Sequence, residues 1–260
     1  MNGDTGTASR LLAVLRVLVE GKQEISVKRL SEILGLPTST THRLLHQLVQ
    51  LGFAERAPMR RYCVGREFSR LGALAMQGQP SLEVARPIMR DVVEGCNETC
   101  LLGLYLPASR QMSFVEKVDS RHPLRYRVRM YELRSLAWGA SGKAILTWLP
   151  GAVVESVINR VTASPATGFA PPSVAVIMRE LRRIRERGYA ISKGEQTPGA
   201  VGLAAPVFGE SGQVFGDLCI TVPEFRFSPK DERHLAELIV TRANKLSELL
   251  RAPCMNRVAF

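Results

Sequence analysis

VKRLSEILGLPTSTTHRLLHQLVQLGF, residues 27–53, holds two helical periods separated by a three-residue break. Ser26 stands where an N-cap belongs, and Val27, Leu30, Ile33 and Leu34 recur at the spacing of one helix face that stops at Gly35. After Leu36, Pro37 opens a second helix, since proline is tolerated in a first turn. The hydroxyls of Thr38, Ser39, Thr40 and Thr41 are placed to satisfy the free N–H groups there. This helix is expected to run to Leu51, with Gly52 past its end and Thr41, Leu44, Leu45, Leu48 and Leu51 on its core face. Two helices joined by so tight a glycine-containing turn form a helix-turn-helix unit. Outward on the N-terminal side, Leu11, Leu15 and Leu18, widened by Leu12, Val14 and Val19, form the stripe of a preceding helix that ends at Gly21, and Ile25 makes a short extended step. Outward on the other side, residues 53–56 and 61–64 read as two short strands around Ala57-Pro58-Met59-Arg60, the wing of a winged helix. Arg66 to Gln77 is again helical and meets a boundary at Gly78-Gln79-Pro80.

The outer face of the second helix of the pair collects Ser39, His42, Arg43, His46, Gln47 and Gln50, which donate or accept hydrogen bonds and include no acid. A helix lying in a major groove reads with its N-terminal residues, so Thr38, Ser39, Thr40, His42 and Arg43 are candidates for base or phosphate contacts, with His46 and Gln47 a turn deeper. Arg56, Arg60 and Arg61 would carry the wing onto flanking phosphates. Between Leu36 and Arg66 there are five arginines (43, 56, 60, 61, 66) against Glu55 alone, a local excess of +4. Charge by itself would suit a solvated surface; its coincidence with the Gly35 turn, the Pro37 start and the wing favours duplex DNA as partner. His42 and His46 share a face, but HRLLH lacks the glutamate of a zinc helix, and Cys96 and Cys100 form a lone pair, so no metal is expected.

The chain has 260 residues, 35 Lys and Arg against 24 Asp and Glu, a net charge of +11 and 45% apolar residues. Such a chain buries roughly 70–75% of its unfolded surface, which excludes disorder as the main state. No apolar run reaches the ~18 residues of a membrane span, and five scattered cysteines suit a reducing compartment, so a cytoplasmic location without membrane contact is expected. From Ser81 onward helices alternate with extended runs. Helices are expected at 81–95, kinked at Pro87, across Lys143 to Trp148, at 173–187 and from Phe227-Ser228-Pro229 to about Arg251; strands at 101–106, 112–118, 124–128, 203–208 and 214–222. This is a sheet covered by helices, α/β or α+β. The stripe Val174, Val176, Ile177, Leu181 and Ile184, with Glu180 and Glu186 among the arginines of that helix, makes it a solvated basic helix rather than a second nucleic-acid site.

The bend Gly139-Ala140-Ser141-Gly142-Lys143 opens a helix and would expose backbone N–H groups to a carboxylate, or merely permit a tight strand-to-helix connection. It is no phosphate-binding loop, because Ala137 and Ala144 replace the required Gly and Ser or Thr, and no nucleophile elbow, because Lys143 replaces the second Gly. No catalytic triad or cofactor motif is evident; a small-molecule enzyme with a helix-turn-helix appendage and a ligand-free architectural DNA binder are the competing readings.

SRLLAVLRVL, the segment 27–53 and RRYCVG resemble the DNA-binding half of the IclR family of bacterial transcription regulators. PLRYRV, ASGKAIL, RERGYAISKGEQTPGAVGLAAPVF and GDLCITVPEFRF resemble its effector-binding half. The resemblance implies an α+β chain: a winged helix-turn-helix at 1–65, a linker helix and boundary at 66–80, and a GAF-like mixed α/β effector-binding domain at 81–260. It further implies a homodimer or homotetramer and a small organic effector, an organic acid, lined by Ala140, Ser141, Ser192, Ala200, Gly202, Cys219 and Thr221. The sequence departs from the family pattern at Tyr131, often glycine, at Ala137-Trp138, and at Ser192, often acidic, while Glu195 retains the family's glutamate.

Overall fold

The computed structural model describes residues 6–21, 23–77, 79–124, 126 and 128–252, and the chain divides into two units, Met1–Gln79 and Pro80–Phe260. The first contains α1 (Thr7–Glu20), β1 (Ile25–Ser26), α2 (Val27–Leu34), α3 (Thr38–Gln50), β2 (Ala54–Ala57), β3 (Arg61–Val64) and α4 (Arg66–Gln77). Ser26 caps α2, its Oγ accepting from the Arg29 N–H at 3.3 Å, and Gly35 ends the helix in the left-handed region at φ 62°. The hydroxyls after Pro37 do not cap α3: its N-terminus has no side-chain cap, and Thr41 Oγ1 instead donates back to the Pro37 carbonyl at 3.1 Å. Val14, Leu18, Leu30, Leu44, Leu45, Leu48, Ala54 and Tyr62 make this unit's core. Leu51, expected in that core, is 59% exposed because α3 ends one residue before it; Ile33, Leu12 and Val19 also face outward, at the edges of their apolar stripes.

Strands β1, β3 and β2 form an antiparallel sheet in that order. The link between β2 and β3 is a 3-10 turn, Pro58–Arg60, in which Met59 and Arg60 both take positive φ, 55° and 56°. At Gly65 a β-carbon would fall 2.1 Å from the Gly52 carbonyl oxygen, so only glycine closes the wing against the end of α3.

The second unit contains α5 (Pro80–Cys96), β4 (Thr99–Leu106), β5 (Gln111–Val118), β6 (Arg134–Ser135), α6 (Gly139–Leu146), α7 (Gly151–Ile158), α8 (Val174–Arg187), β7 (Ala190–Lys193), β8 (Ala200–Phe208), β9 (Val214–Pro223) and α9 (Asp231–Arg251). Its six strands run in the order β6-β5-β4-β9-β8-β7, every adjacent pair antiparallel, so the sheet is not mixed and the chain is α+β. Both faces are buried. Leu102, Leu218 and Ile220 pack on α5 and α9 through Val92, Ile239 and Leu246; Leu101, Ala204 and Cys219 pack on Leu136, Ile145 and Leu181 beneath α6 and α8. The period of two in β9 sends alternate residues to these two cores.

Several expectations change. One continuous helix, α5, contains Pro87. Leu124, Tyr126 and Val128 form no strand, Arg125 and Arg127 of that stretch lie outside the described residues, and α9 starts at Asp231. Gly78 of the expected boundary and Cys254 also lie outside them. In α8 only Ile177, Leu181 and Ile184 are buried, whereas Val174 and Val176 are 55% and 46% exposed, because they sit in its first turn before it packs on α6. β6, β7 and α7 had no separate signal: two are too short for a hydrophobic period, and α7 is read only by its docking.

Candidate functional site

On the first unit, α3 turns Leu44, Leu45 and Leu48 inward and leaves Thr38, Ser39, His42, Arg43 and His46 exposed, with Thr40 and Gln47 half-buried. On the wing Arg56, Arg60 and Arg61 are exposed, Arg56 opposite Tyr62 and Arg61 opposite Ala57 at the turn. The one acid of this region is already engaged: Glu55 Oε1 lies 3.4 Å from Arg66 Nε and accepts the Arg66 N–H at 3.2 Å. The guanidinium groups of Arg43, Arg56, Arg60 and Arg61 have no hydrogen bond or ion pair among the described residues, whereas Arg16, Arg29 and Arg70 are paired along their own helices. Unpaired guanidinium groups can neutralise phosphates without first breaking an ion pair.

The second unit has a cavity of about 400 Å³ between α6 and the sheet, partly open to solvent. All seven residues assigned to the pocket on the strength of the resemblance line it together: Ala140, Ser141, Ser192, Ala200, Gly202, Cys219 and Thr221. Strand register does this, because Ser192 pairs with Gly202 and Gly202 with Thr221 across β7, β8 and β9, while Cys219 pairs with Ala204 one step on. A β-carbon at Gly202 would stand 3.3 Å from Ala140 Cβ, and one at Gly142 would stand 2.7 Å from the Ser135 carbonyl oxygen. The glycines of this region thus let α6 lie against the strands.

The first N–H groups of α6 are not open to a ligand. Gly139 N–H donates to Glu195 Oε2 at 3.1 Å and Ala140 N–H to Ser192 Oγ at 2.9 Å. Here the expectation of N–H groups exposed to a carboxylate fails, because the chain's own β7 and following loop fill the place. Glu195 in turn accepts from Lys143 Nζ at 2.8 Å, and the same ammonium, 7% exposed, donates to Glu180 at 2.7 Å. Lys143 is therefore a buried clamp between α6, α8 and the Glu195 loop.

Sequence reasoning missed both arginines of the cavity, Arg129, which pairs with Glu132 at 3.5 Å, and Arg134. Arg134, in two-residue β6, lines the cavity with its guanidinium 5.3 Å above the Phe114 ring, and its terminal nitrogen donates to the Arg129 carbonyl at 3.3 Å. Its Nε is buried without a partner, and burial lowers its pKa from the usual arginine value. Two other lining residues carry buried polar atoms with no partner, Ser141 Oγ and Gln196 Oε1. Trp138, 8% exposed, walls one side and donates its indole N–H to the Thr162 carbonyl at 3.0 Å. Cys219 is no nucleophile: burial, then the neighbouring Asp217, push its thiol up to about 12. Among the described residues no group of three or more His, Cys, Asp and Glu could hold a metal, and no helix is long and apolar enough to cross a membrane.

Comparison with known proteins accords with both halves. Residues 74–248 match the family described as "Bacterial transcriptional regulator IclR C-terminal", and residues 7–58 match the IclR helix-turn-helix domain. The HTH-type transcriptional regulator KdgR of Escherichia coli is 28% identical over 239 residues, 92% of this chain and 90% of that protein. The transcriptional repressor IclR of the same organism is 24% identical over 94% of this chain and 90% of its own. A crystal structure of a Silicibacter sp. TM1040 protein assigned to the IclR regulators, 28% identical, superposes with a TM-score of 0.85 over 96% of this chain and 98% of that one. An IclR homologue from Microbacterium hydrocarbonoxydans, solved in complex with 4-hydroxybenzoate, shares the fold at 23% identity and a TM-score of 0.74, over 95% of this chain and 100% of that one. With the C-terminal match spanning more than half of its length, the chain belongs to the IclR family of ligand-responsive bacterial transcription regulators.

Proposed function

We propose that α3 and the wing bind operator DNA, and that the cavity of the second unit binds a small organic acid that changes operator affinity. Thr38, Ser39, Thr40, His42, Arg43, His46 and Gln47 face the groove, and Arg56, Arg60 and Arg61 meet the phosphates. What carries the effector reading is Arg134: of the charged side chains lining the partly open cavity, Arg129 pairs with Glu132 and Glu195 with Lys143, whereas the buried Arg134 Nε has no partner and calls for an anion. Ser141 and Gln196 add a hydroxyl and an amide oxygen for the ligand's other polar groups. The lining by Phe114, Leu101, Met112 and Trp138 suits a carbon skeleton of modest size, as does the name of the Microbacterium relative's ligand.

The acting species is a homodimer or homotetramer in the cytoplasm. Support for assembly comes from the apolar side chains left exposed on α1 (Leu12, Val19) and α4 (Leu71, Leu74, Met76). We infer no catalytic role, since the cavity's one thiol is held protonated. Effector changes DNA affinity only by binding one arrangement of the paired DNA-binding units better than another, with α4 as the coupling element.

The test is fluorescence anisotropy of the full chain on duplex DNA from upstream of its own gene, titrated with a panel of carboxylates. A carboxylate should shift the binding curve, and Ser141→Trp, which fills the cavity, should bind operator yet lose the shift. A Ser141→Trp protein with an undiminished ligand response would place the effector elsewhere.

A further inference from the structure

Asp217 lies on β9 behind the cavity wall, fully buried, and neither of its carboxyl oxygens has a hydrogen-bond partner. A buried orphan carboxyl is costly and calls for an explanation. The strands make room for it: Asp217 pairs directly with Gly103 of β4, where a β-carbon would fall 2.0 Å from Asp217 Oδ1 and 2.7 Å from Met112 Cε. Its flanking partner on β8 is Pro206. Among the described residues no cation compensates it. On its own strand the nearby titratable group is Cys219, and across the sheet it is Cys100, both thiols pushed up by burial. Arg134 bears on Cys219, not on Asp217, and Lys143 is held by Glu180 and Glu195. From α6 the group that bears on it is Ser141, which lowers its pKa although the two form no hydrogen bond of ordinary geometry; Ser141 is 6% exposed and lines the cavity.

We propose that Asp217 is a positioning residue for effector binding: through the Ser141 hydroxyl it decides whether the cavity floor offers a donor or an acceptor, so that anion uptake is linked to protonation of this one carboxyl. With Asp217 protonated, its O–H can donate to Ser141 Oγ, and the Ser141 hydroxyl hydrogen is free to point at a bound carboxylate. With Asp217 ionised, that hydrogen turns back to the carboxylate, and the cavity meets an anion with serine lone pairs and an uncompensated negative charge behind them. Burial raises the Asp217 pKa to about 7, and Ser141 pulls it partly back, so both forms are populated near neutrality. The linkage is reciprocal, and a bound anion would raise the Asp217 pKa further. The proposal rests on the reading of the cavity as an anion site.

The experiment has two arms on the full chain. In the first, carboxyl-carbon NMR of aspartate-labelled protein follows ionisation without ligand. One aspartate should titrate near neutrality, vanish in Asp217→Asn, and titrate at higher pH in Ser141→Ala, which removes the group that holds it down. In the second, calorimetry measures the affinity for 4-hydroxybenzoate, gluconate and pyruvate at pH 6 and pH 8. The wild type should bind its ligand about tenfold more weakly at pH 8, the ratio of protonated fractions for a group titrating near 7, and Asp217→Asn should change less than about twofold. An unshifted aspartate in Ser141→Ala, or one pH profile shared by wild type and Asp217→Asn, overturns the proposal. Binding of none of the three acids at either pH would instead count against the anion site itself, a failure that the NMR arm tells apart from failure of the Asp217–Ser141 coupling.

Discussion

Replacing Arg60 and Arg61 together by alanine removes the two guanidinium groups at the wing turn, both exposed and without an ion pair among the described residues. Each phosphate neutralised by a basic side chain contributes roughly 0.9 to the slope of log K against log salt. If both arginines meet phosphates, the slope should become shallower by roughly 1.8 for each DNA-bound copy. Between 50 and 200 mM salt, about 0.6 of a log unit, the wild type would then lose about tenfold more affinity than the variant, and the two curves should converge as salt rises. Operator and scrambled duplexes should respond alike, because phosphate contacts carry no sequence information. Alanine takes over the positive φ of Arg60 without changing the non-glycine character of the turn, so the comparison reports mainly charge. Anisotropy titrations at four salt concentrations measure the slope, with Arg60→Lys plus Arg61→Lys as the charge-retaining control. Weaker binding with an unchanged slope, or loss confined to the operator, would refute phosphate contact by the wing.

Arg43→Ala should cost about 1–3 kcal/mol on operator and little on scrambled DNA if Arg43 reads a base, as competition titrations would reveal. Lys143→Met leaves Glu180 and Glu195 without their shared ammonium; urea unfolding should show a loss of roughly 3 kcal/mol, the lower end for breaking a buried pair because both carboxylates are partly exposed. Asp217 has its folded pKa raised to about 7 from 3.8, so its protonated form stabilises the fold below the unfolded value, and that contribution is lost as pH rises through 7. Between pH 5 and pH 8 the wild type should therefore lose about 3 kcal/mol relative to Asp217→Asn in urea unfolding, whatever pH-independent cost the amide carries. Parallel stability curves for the two proteins would contradict this.

Features with a local cause were legible along the chain. The Ser26 cap, the Gly35 stop, the Pro37 start and the 3.6-residue period of Leu44, Leu45 and Leu48 act within a few residues, so the helix-turn-helix and its polar outer face follow from spacing alone. The seven pocket residues came from resemblance, not from pattern; register across β7, β8 and β9 is what gathers them. Arg134 and Asp217 gave no signal, because an arginine in a two-residue strand and an aspartate in an apolar run look like surface residues until a sheet and a helix close over them. Of the two readings of the α6 N-terminus, only the tight strand-to-helix connection holds, for the same reason: its first N–H groups are taken by Glu195 and Ser192, more than fifty positions away in sequence. Short-range periodicity and capping chemistry suffice to say that this chain carries a winged helix. Which groups stay unpaired inside the second unit depends on contacts between residues distant in sequence, where burial sets the cost of every polar atom that ends without a partner.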